Sequence, residues 1–296
     1  MRRIGVDVTT GAGTAFGTFG ELLQGTLPDG TDFLVTMPIN RCTTAWFRLE
    51  PDGPLRVFPS DKLKSYALAR AMLGDAGGTL VLDGDLPVGK GLASSSADLV
   101  ATARAIGGAL GISTTPEAVE DLLRAIEPTD GVMYAGVVAF EHRAVRLRHF
   151  LGVLPPLTVV AVDEGGEVDT IAFNRAPKPF SARERREYAR LLKLIGEAVR
   201  DRDLVAVGCI ATRSAELNQR LNHKRHLAEM SRVCAEEGGL GVICAHSGTM
   251  TGILLADEQS GHDERLARVS RACAALADGV TVFRSYVFPE DVADAV

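Results

Sequence analysis

The spacing of apolar residues changes repeatedly along the chain, and each change predicts a different element. In the first fifty residues, short apolar stretches at 33–35 and 43–47 are separated by turn residues, foremost Pro28-Asp29-Gly30. This pattern predicts strands joined by turns. Apolar positions recur with a helical period from Lys62 to Met72, and the run around Leu80 is again typical of a strand. The N-terminal part is therefore predicted to be strand-rich, with one early helix.

Two helices with clear start and stop signals follow that strand. The first is predicted from about Ser96 to Leu110, where Gly111 ends it. The second begins at Thr115-Pro116, a capping residue followed by a proline in the first turn, and it stops near Pro128. A strand, a loop rich in glycine and serine, and a helix thus succeed one another in the order that a phosphate-binding site needs.

The pattern changes again beyond Val137. A buried strand is predicted at Leu157–Val162, and residues 181–237 are predicted to form two or three amphipathic helices with dense charge. The rest is predicted as two strands, a helix and a final strand, at Val242–Ala245, Ile253–Ala256, Glu264–Leu276 and Val280–Phe283. This change in the pattern of apolar and charged positions predicts a domain boundary near 150–156.

Composition narrows the class of protein without identifying a function. The chain has 296 residues, of which 46% are hydrophobic and 24% charged, as in ordinary globular proteins. Its net charge of −6 and its scattered basic residues argue against a nucleic-acid partner. The five cysteines form no C-x-x-C pair, which favours reduced thiols over a zinc site or disulfides. Because no apolar run approaches transmembrane length, we expect a cytoplasmic protein without a membrane partner.

The segment richest in chemical information is Pro87–Ser96, here called the serine loop. It leads into a helix, so its backbone N–H groups and the positive end of the helix dipole can face an anion. Residues 84–90 match the P-loop pattern G-x-x-x-x-G-K, but Gly91 stands where that pattern has the Ser or Thr that holds Mg²⁺, and Pro87 lacks an N–H. A second phosphate-loop pattern, P-x-x-x-G-L-x-S-S-x-A, runs from Pro87 to Ala97 without such a gap.

Two further segments carry carboxylates in suitable surroundings. In the N-terminal segment G-T-F-G-E-L-L-Q-G, glycines let the backbone approach a ligand, and Glu21 and Gln24 offer a carboxylate and an amide. In the segment E-P-T-D-G, Glu127 and Asp130 flank the proline that ends a helix. A carboxylate placed there can accept a proton from a hydroxyl group or orient that group.

Histidines occur at two places that need separate interpretation. The glycine-rich turn His246-Ser247-Gly248 follows a predicted strand and is a candidate for contacts to phosphate or substrate. His223 and His226 are three residues apart, a spacing that metal ligands can use. They lie among Arg and Lys residues with no Cys or carboxylate nearby, so a solvated basic face is the preferred interpretation.

These segments, in this order, resemble the motifs of the GHMP kinases, the superfamily of galactokinase and of homoserine, mevalonate and phosphomevalonate kinases. The resemblance spans roughly residues 10 to 290 and is most specific in the serine loop. Three departures are visible. In the first motif, which contains the segment G-T-F-G-E-L-L-Q-G, Leu22 replaces the usual histidine after Gly-Glu. In the second motif, the serine loop, Ala93 replaces a usual glycine, and the third motif, residues 241–252 with the turn His246-Ser247-Gly248, contains fewer glycines than usual.

The resemblance implies an α+β fold of two domains with the active site between them. Residues 1–152 would form the N-terminal ATP-binding domain, resembling domain 2 of ribosomal protein S5. Residues 153–296 would form a ferredoxin-like C-terminal domain. The implied reaction is the ATP-dependent phosphorylation of a small hydroxyl compound, with ATP and Mg²⁺ as cofactors.

The resemblance also assigns roles to individual residues. Mg²⁺ would be held by Ser95 and Glu127, with Glu120 as the competing acidic ligand. Asp130 would act on the acceptor hydroxyl, as a base or only by orienting it, and Lys90 would reach a phosphate or stay solvated. ATP would be bound by Pro87, Gly89, Lys90, Gly91, Leu92, Ala93, Ser94, Ser95 and Ser96. The acceptor would be bound by Glu21, Gln24, Asp130, His246, Ser247 and Gly248.

The acceptor is suggested by the variant first motif. Gly-Glu-Leu-x-Gln-Gly resembles the subgroup of bacterial L-threonine kinases associated with cobalamin synthesis and propanediol use, so an amino-acid hydroxyl is the first expectation. Glu21 would suit an α-ammonium group. A kinase for another small alcohol and a catalytically silent relative are the alternatives. The oligomeric state stays open, with a homodimer among the alternatives.

Overall fold

The structure, a computed structural model, describes residues 9–166, 178–277 and 279–288. Within these ranges the strands are β1 (Thr10–Thr26), β2 (Asp32–Glu50), β3 (Leu55–Phe58), β4 (Gly77–Gly84), β5 (Val137–Glu141), β6 (Arg146–Gly152), β7 (Leu157–Asp163), β8 (Gly241–Cys244), β9 (Met250–Ala256) and β10 (Val280–Arg284). The helices are α1 (Leu63–Leu73), α2 (Ser94–Leu110), α3 (Pro116–Arg124), α4 (Ala182–Arg200), α5 (Leu204–Asn218), α6 (Leu227–Glu237) and α7 (His262–Ala274).

The ten strands of the described residues belong to one sheet. Its order is β10-β7-β9-β8-β1-β2-β4-β3, and β5 pairs with both β2 and β6. The long strands β1 and β2 form an antiparallel hairpin around the predicted turn at residues 28–30. Because β1 pairs with β2 on one side and β8 on the other, it is the strand that connects the earlier and later parts of the chain.

The junction between β1 and β8 is short. Its register pairs Glu21 with Cys244, and Gly20 takes a positive φ of 49° beside it. A Cβ on Gly20 would lie 2.5 Å from the carbonyl oxygen of Cys244, so only glycine allows this approach. A second link is the bridge between Ile39 and Ser285. The sheet therefore brings the first motif against the third.

Helix α2 packs unusually close to β1. A Cβ on Gly11 would lie 2.1 Å from the Ala105 carbonyl oxygen, and one on Gly13 would lie 2.5 Å from the Ala101 carbonyl oxygen. Glycines on the strand and alanines on the helix remove the side chains that would otherwise separate the two backbones. Helix α2 is consequently buried along most of its length, and its first turn is held firmly at the sheet.

Local signals explain where the helices begin and end. Thr115 caps α3 through its side chain, and Pro116 occupies the first turn. Ser181 and Glu184 form a reciprocal capping box at the start of α4. Gly111 closes α2 in the left-handed conformation. No helix within the described ranges is long and apolar enough to cross a membrane.

Two hydrophobic clusters fill the interior of the described residues. The larger one contains residues from both parts of the chain, including the Phe19 and Phe283 rings, whose centroids are 5.2 Å apart. The smaller one lies where α6 and α7 cover β7, β8 and β9, and it includes Val160, Met230 and Val269. Because the larger cluster crosses the β1–β8 junction, the two parts of the sheet share one core.

Most predicted elements are confirmed, and three strands were missed. The helices near residues 62–72, 96–110 and 264–276 appear as α1, α2 and α7, with bounds shifted by one or two residues. The charged stretch 181–237 holds three helices. Strands β3, β5 and β6 had no sequence prediction. The predicted boundary near 150–156 falls between β6 and β7, and the residue bounds of two domains stay a prediction.

The contact between β1 and α2 can be tested with two alanine substitutions at one point. Gly11→Ala puts a methyl group into the α2 backbone and is expected to reduce the free energy of unfolding by about 1–3 kcal/mol. Gly108 lies opposite, where a Cβ would be 3.7 Å from the Cα atom of Gly11. Gly108→Ala is the matched control and is expected to stabilise the helix by up to about 1 kcal/mol. Urea denaturation measures both, and equal effects would contradict the packing described.

Candidate active site

The serine loop lies against β1 in the region of the first motif. The backbone N–H of Thr18 donates a hydrogen bond to the carbonyl of Leu92, at 3.2 Å, and that of Gly20 donates to the carbonyl of Gly91, at 3.3 Å. These two bonds attach the serine loop directly to β1. The predicted phosphate site and the predicted acceptor segment are thereby in direct contact.

The turn His246–Gly248 closes the other side of the serine loop. A Cβ on Gly248 would lie 2.0 Å from the carbonyl oxygen of Lys90, and a Cβ on Gly91 would lie 2.5 Å from the Cβ of Ala245. Such distances exclude any side chain at either glycine without displacement of the loops. The first, second and third sequence motifs therefore meet at one place, as the resemblance implied.

The backbone of the serine loop has the shape of an anion-binding nest. Gly89, Gly91 and Ala93 have positive φ angles of 73°, 79° and 58°, and the residues between them do not. Alternation of this kind turns successive N–H groups to one side, and the N-terminus of α2 adds its unpaired N–H groups and dipole. Ala93, which replaces a usual glycine, adopts this conformation at a cost of about 1 kcal/mol.

The two predicted metal ligands are in contact. The Ser95 hydroxyl lies 2.5 Å from Oε1 of Glu127, and the Lys64 ammonium hydrogen-bonds to Oε2 of Glu127 and lies 3.3 Å from the Ser95 hydroxyl. A hydroxyl and a carboxylate are the oxygen ligands that Mg²⁺ prefers, usually completed by substrate phosphates. The donor set therefore fits Mg²⁺. Within the described ranges no cluster of three or more His, Cys, Asp or Glu residues offers an alternative metal site.

Glu120, the competing candidate, is occupied elsewhere. Its Oε1 accepts hydrogen bonds from the hydroxyl of Tyr134, at 2.8 Å, and from the backbone N–H of Leu147, at 2.6 Å. These bonds tie α3 to β6. The structure thus brings Glu127, and not Glu120, to Ser95, while the metal-binding role itself stays a prediction.

Asp130 is buried beside the serine loop. Its backbone N–H donates to the Ser96 hydroxyl at 3.1 Å, and that hydroxyl lies 3.4 Å from Oδ2. Burial, and after it the charge of Glu127, raise the pKa of Asp130 to about 6, although the hydrogen bond from Ser96 opposes both. A carboxylate with a pKa near neutrality is suited to accept a proton from a hydroxyl group.

Glu21 is a second buried acid in the same site. Burial, and after it the charge of Asp130, raise the pKa of Glu21 well above its usual range. The backbone N–H of His246 donates to this carboxylate, but Oε2 has no hydrogen-bond partner among the described residues. A buried carboxylate oxygen without a partner costs free energy, which a cationic ligand would offset.

Gln24 holds the third-motif turn in place. Its Oε1 lies 2.7 Å from Nδ1 of His246, and its Nε2 donates to the Cys244 carbonyl at 3.3 Å. Burial lowers the pKa of His246 well below its usual range, so the ring is neutral. The imidazole of His142 packs edge-on against it, with ring centroids 5.1 Å apart. Gln24 and His246 thus contact each other, although both were predicted as direct ligands of the acceptor.

Lys224 is a buried cation beside the same turn. Only 2% of the residue is exposed, and its ammonium donates to the Gly248 carbonyl. Burial lowers its pKa, and Glu164, Glu21 and Asp163 raise it from a distance. Among the described residues no carboxylate lies close enough to form a salt bridge with it. A buried ammonium whose charge is not balanced by a salt bridge is suited to bind an anion.

Lys90 reaches across the site instead of pointing to solvent. Its ammonium forms a salt bridge with Asp163, at 2.8 Å, and donates to the Gly166 carbonyl, at 2.8 Å. Asp163 also accepts a hydrogen bond from the Thr249 hydroxyl. The contact links the serine loop to the end of β7. The predicted contact of Lys90 with a phosphate stays a prediction.

Three functional candidates were missed by the sequence interpretation. Lys64, Asp163 and Lys224 are charged residues in segments without a motif, and their positions become visible only through their partners in the fold. Among the described residues, His223 and His226 do not belong to any cluster of three or more potential metal ligands. His226 precedes α6 and donates its backbone N–H to Glu164 at 2.9 Å. Lys64 is 63 residues from Glu127 along the chain, so no spacing signal in the sequence could have indicated their contact.

Comparison with known proteins agrees with this geometry. Residues 62–139 match the family described as the N-terminal domain of the GHMP kinases. The L-threonine kinase of Citrobacter freundii is 26% identical over 249 residues, which are 82% of this chain and 85% of that protein. The L-threonine kinase of Salmonella typhimurium is 26% identical over 257 residues, which are 82% of each chain.

Solved structures share the fold over nearly the whole chain. A homoserine kinase from Cytophaga hutchinsonii superposes with a TM-score of 0.72 at 15% identity, covering 97% of this chain and 98% of the other. The mevalonate kinase of L. major, in complex with R-mevalonate, superposes with a TM-score of 0.68 at 18% identity, covering 95% and 96%. Identity this low establishes the fold and nothing beyond it.

These similarities define a phosphotransferase that acts on a hydroxyl group, and the predicted phosphate-binding loop and the buried acids agree with it. The predicted resemblance to the GHMP kinases is confirmed by the match of residues 62–139 to their N-terminal domain, and the predicted α+β fold is confirmed by the superposed structures. ATP is the cosubstrate that this family implies, together with a small-molecule substrate.

The raised pKa of Asp130 predicts how stability depends on pH in the ligand-free protein. The native carboxyl has a pKa of about 6 against an ordinary 3.8, so its ionisation costs no stability below pH 3.8, destabilises the fold progressively between 3.8 and 6, and has its full cost above 6. A shift of about two pH units corresponds to about 3 kcal/mol. Asp130→Asn is therefore expected to stabilise the protein by up to that amount at pH 7.5 and little at pH 4. Urea denaturation at both pH values measures this, and a gain at pH 4 alone would contradict it.

Proposed function

We propose that this chain transfers the γ-phosphoryl group of ATP to the side-chain hydroxyl of an amino acid, L-threonine, to form O-phospho-L-threonine. The observation that carries the proposal is the pair of opposite buried charges in the acceptor region. Among the residues that the structure describes, one carboxylate oxygen of Glu21 has no hydrogen-bond partner, and the Lys224 ammonium forms no salt bridge. An α-amino acid carries one cation and one anion, so it can pair with both.

The similarity to two bacterial L-threonine kinases over 82% of the chain supports the same acceptor. The variant first motif, with Glu21 and Gln24, is the part of the sequence that suggested it. Homoserine and serine carry the same two charged groups as threonine, so the pair of charges selects the class of acceptor and not the length of its side chain.

The remaining residues would act on ATP and on the hydroxyl group. The nest of the serine loop and the N-terminus of α2 would bind the triphosphate through backbone N–H groups. Ser95 and Glu127 would hold Mg²⁺, which neutralises phosphate charge during transfer. Asp130, with its pKa near 6, would accept the hydroxyl proton or orient the hydroxyl toward the phosphoryl group. Lys90 and the His246–Gly248 turn would keep the phosphate and acceptor sites together.

A panel of acceptors tests the reaction and its substrate class. ADP release is measured with ATP, Mg²⁺ and L-threonine, L-serine, L-homoserine or R-mevalonate. We expect turnover with L-threonine that falls at least about a hundredfold in Asp130→Ala and in Ser95→Ala, since each removes a group that acts in the transition state. Turnover confined to a non-amino-acid alcohol would overturn the acceptor, and nucleotide binding without any turnover would favour a silent relative.

Matched acceptor analogues test the two charged contacts separately. L-threonine amide lacks the carboxylate, and N-acetyl-L-threonine lacks the ammonium. We expect Lys224→Met to raise the KM for L-threonine about ten- to a hundredfold and to abolish the preference for threonine over its amide. Glu21→Gln is expected to abolish the preference for threonine over the N-acetyl compound. The KM for ATP is the internal control.

Lys193→Met is the matched variant for the loss of a lysine, because Lys193 lies on the exposed face of α4 with 79% of its side chain accessible. It is expected to leave every KM unchanged. If Lys224→Met weakens threonine and its amide equally, Lys224 does not bind the acceptor carboxylate.

A further inference from the structure

The ion pair at the predicted metal site is formed by a residue that no motif contains. Lys64, in the first turn of α1, bonds to one oxygen of Glu127 and lies 3.3 Å from the hydroxyl of Ser95, while the other Glu127 oxygen lies 2.5 Å from that hydroxyl. The ammonium thus touches both groups that the proposed function assigns to Mg²⁺.

An ammonium in this position neutralises a costly charge. The Glu127 side chain is only 10% exposed, so its carboxylate needs a nearby cation. A divalent ion at the same two oxygens would lie within a few ångströms of the ammonium, and two cations at that distance repel each other strongly. Lys64 and the metal ion are therefore alternative occupants of one site, and metal binding requires the lysine to move.

The lysine has room to move, and an anion would meet it nearby. Its side chain is 42% exposed, in contrast to that of Glu127. The neighbouring carboxylate Asp98 is not available to it, because Asp98 is already bonded to Lys62, at 2.6 Å, and to the Thr43 hydroxyl, at 2.9 Å. The phosphate nest ends at Ala93, one residue before Ser94, so a bound triphosphate is the anion within reach of a displaced Lys64.

We propose that Lys64 is a tethered cation that occupies the Ser95–Glu127 site in the nucleotide-free protein and moves to the triphosphate when the metal–nucleotide complex binds. Binding of the divalent ion is then coupled to binding of the nucleotide, and the free enzyme takes up little metal. The inference rests on the nucleotide part of the proposed function and not on the identity of the acceptor.

Mn²⁺ serves as the probe, and its binding is followed by electron paramagnetic resonance on the full chain. We expect the wild type to bind Mn²⁺ weakly alone and at least about tenfold more tightly with a non-hydrolysable ATP analogue. Lys64→Met is expected to bind Mn²⁺ alone about tenfold more tightly than the wild type. The same variant is expected to bind the Mn²⁺–analogue complex about tenfold more weakly, because its contact with the phosphates is lost.

Two variants separate this effect from a general one. Lys64→Arg keeps the charge and is expected to bind Mn²⁺ alone as weakly as the wild type, whereas Lys193→Met removes a remote lysine and is expected to change neither affinity. Thermal unfolding confirms that each variant is folded. These affinities do not involve an acceptor, so they test this proposal independently of whether the protein phosphorylates threonine.

Tight binding of one Mn²⁺ by the wild type without nucleotide would overturn the proposal whatever the variants do. So would a Lys64→Met protein whose affinity for Mn²⁺ alone is unchanged or reduced. An increase in metal affinity without any loss of nucleotide affinity would overturn the second half, the movement of Lys64 to the triphosphate.

Discussion

The pairing of β1 with β8 is the constraint on which the rest of this structure depends. It joins the two parts of the sheet through the register of Glu21 with Cys244, and the positive φ of Gly20 lets the two backbones approach there. The serine loop hydrogen-bonds to β1 immediately before this point, and the His246–Gly248 turn follows β8 immediately after it. Segments more than two hundred residues apart thereby form one site without a long connecting loop.

The chemistry of this site follows from charges that the fold leaves uncompensated. Glu21 and Asp130 are buried acids with raised pKa values, and Lys224 is a buried ammonium that forms no salt bridge with any carboxylate in the described part of the chain. Each of these charges opposes folding in the empty protein, because burial removes the water that would stabilise it. In the proposed function, a substrate with the opposite charges would offset this cost, and the cost in stability would become selectivity for a ligand.

The fold of this chain does not by itself identify an acceptor. A homoserine kinase and a mevalonate kinase both superpose on it, at 15% and 18% identity. In the proposed function the phosphates would be bound by backbone N–H groups and a helix end, which belong to the fold. The acceptor would be selected by side chains such as Glu21 and Lys224, which the backbone positions but does not specify.

Local signals in the sequence determined much of the secondary structure and the phosphate loop. The sequence carries the glycine that ends α2 and the threonine that caps the start of α3, and the serine loop is defined by glycines and serines within ten residues. Strands β5 and β6 were missed for opposite reasons. The continuous apolar run of β5 lacks a period, and the charged residues of β6 resemble a loop because that strand pairs on one side only, within the described part of the sheet.

The sequence by itself determined the resemblance to the GHMP kinases, the glycine- and serine-rich loop before α2 and the acids Glu21 and Asp130, because those signals lie in short contiguous segments. Only the tertiary structure placed Glu127, and not Glu120, beside Ser95, and only it brought Lys64 and Lys224 into the site. A lysine in a polar segment carries no local sign of burial or of its partner. The partners of Lys64 and Lys224 come from other elements, so their roles depend on packing that spacing along the chain does not encode.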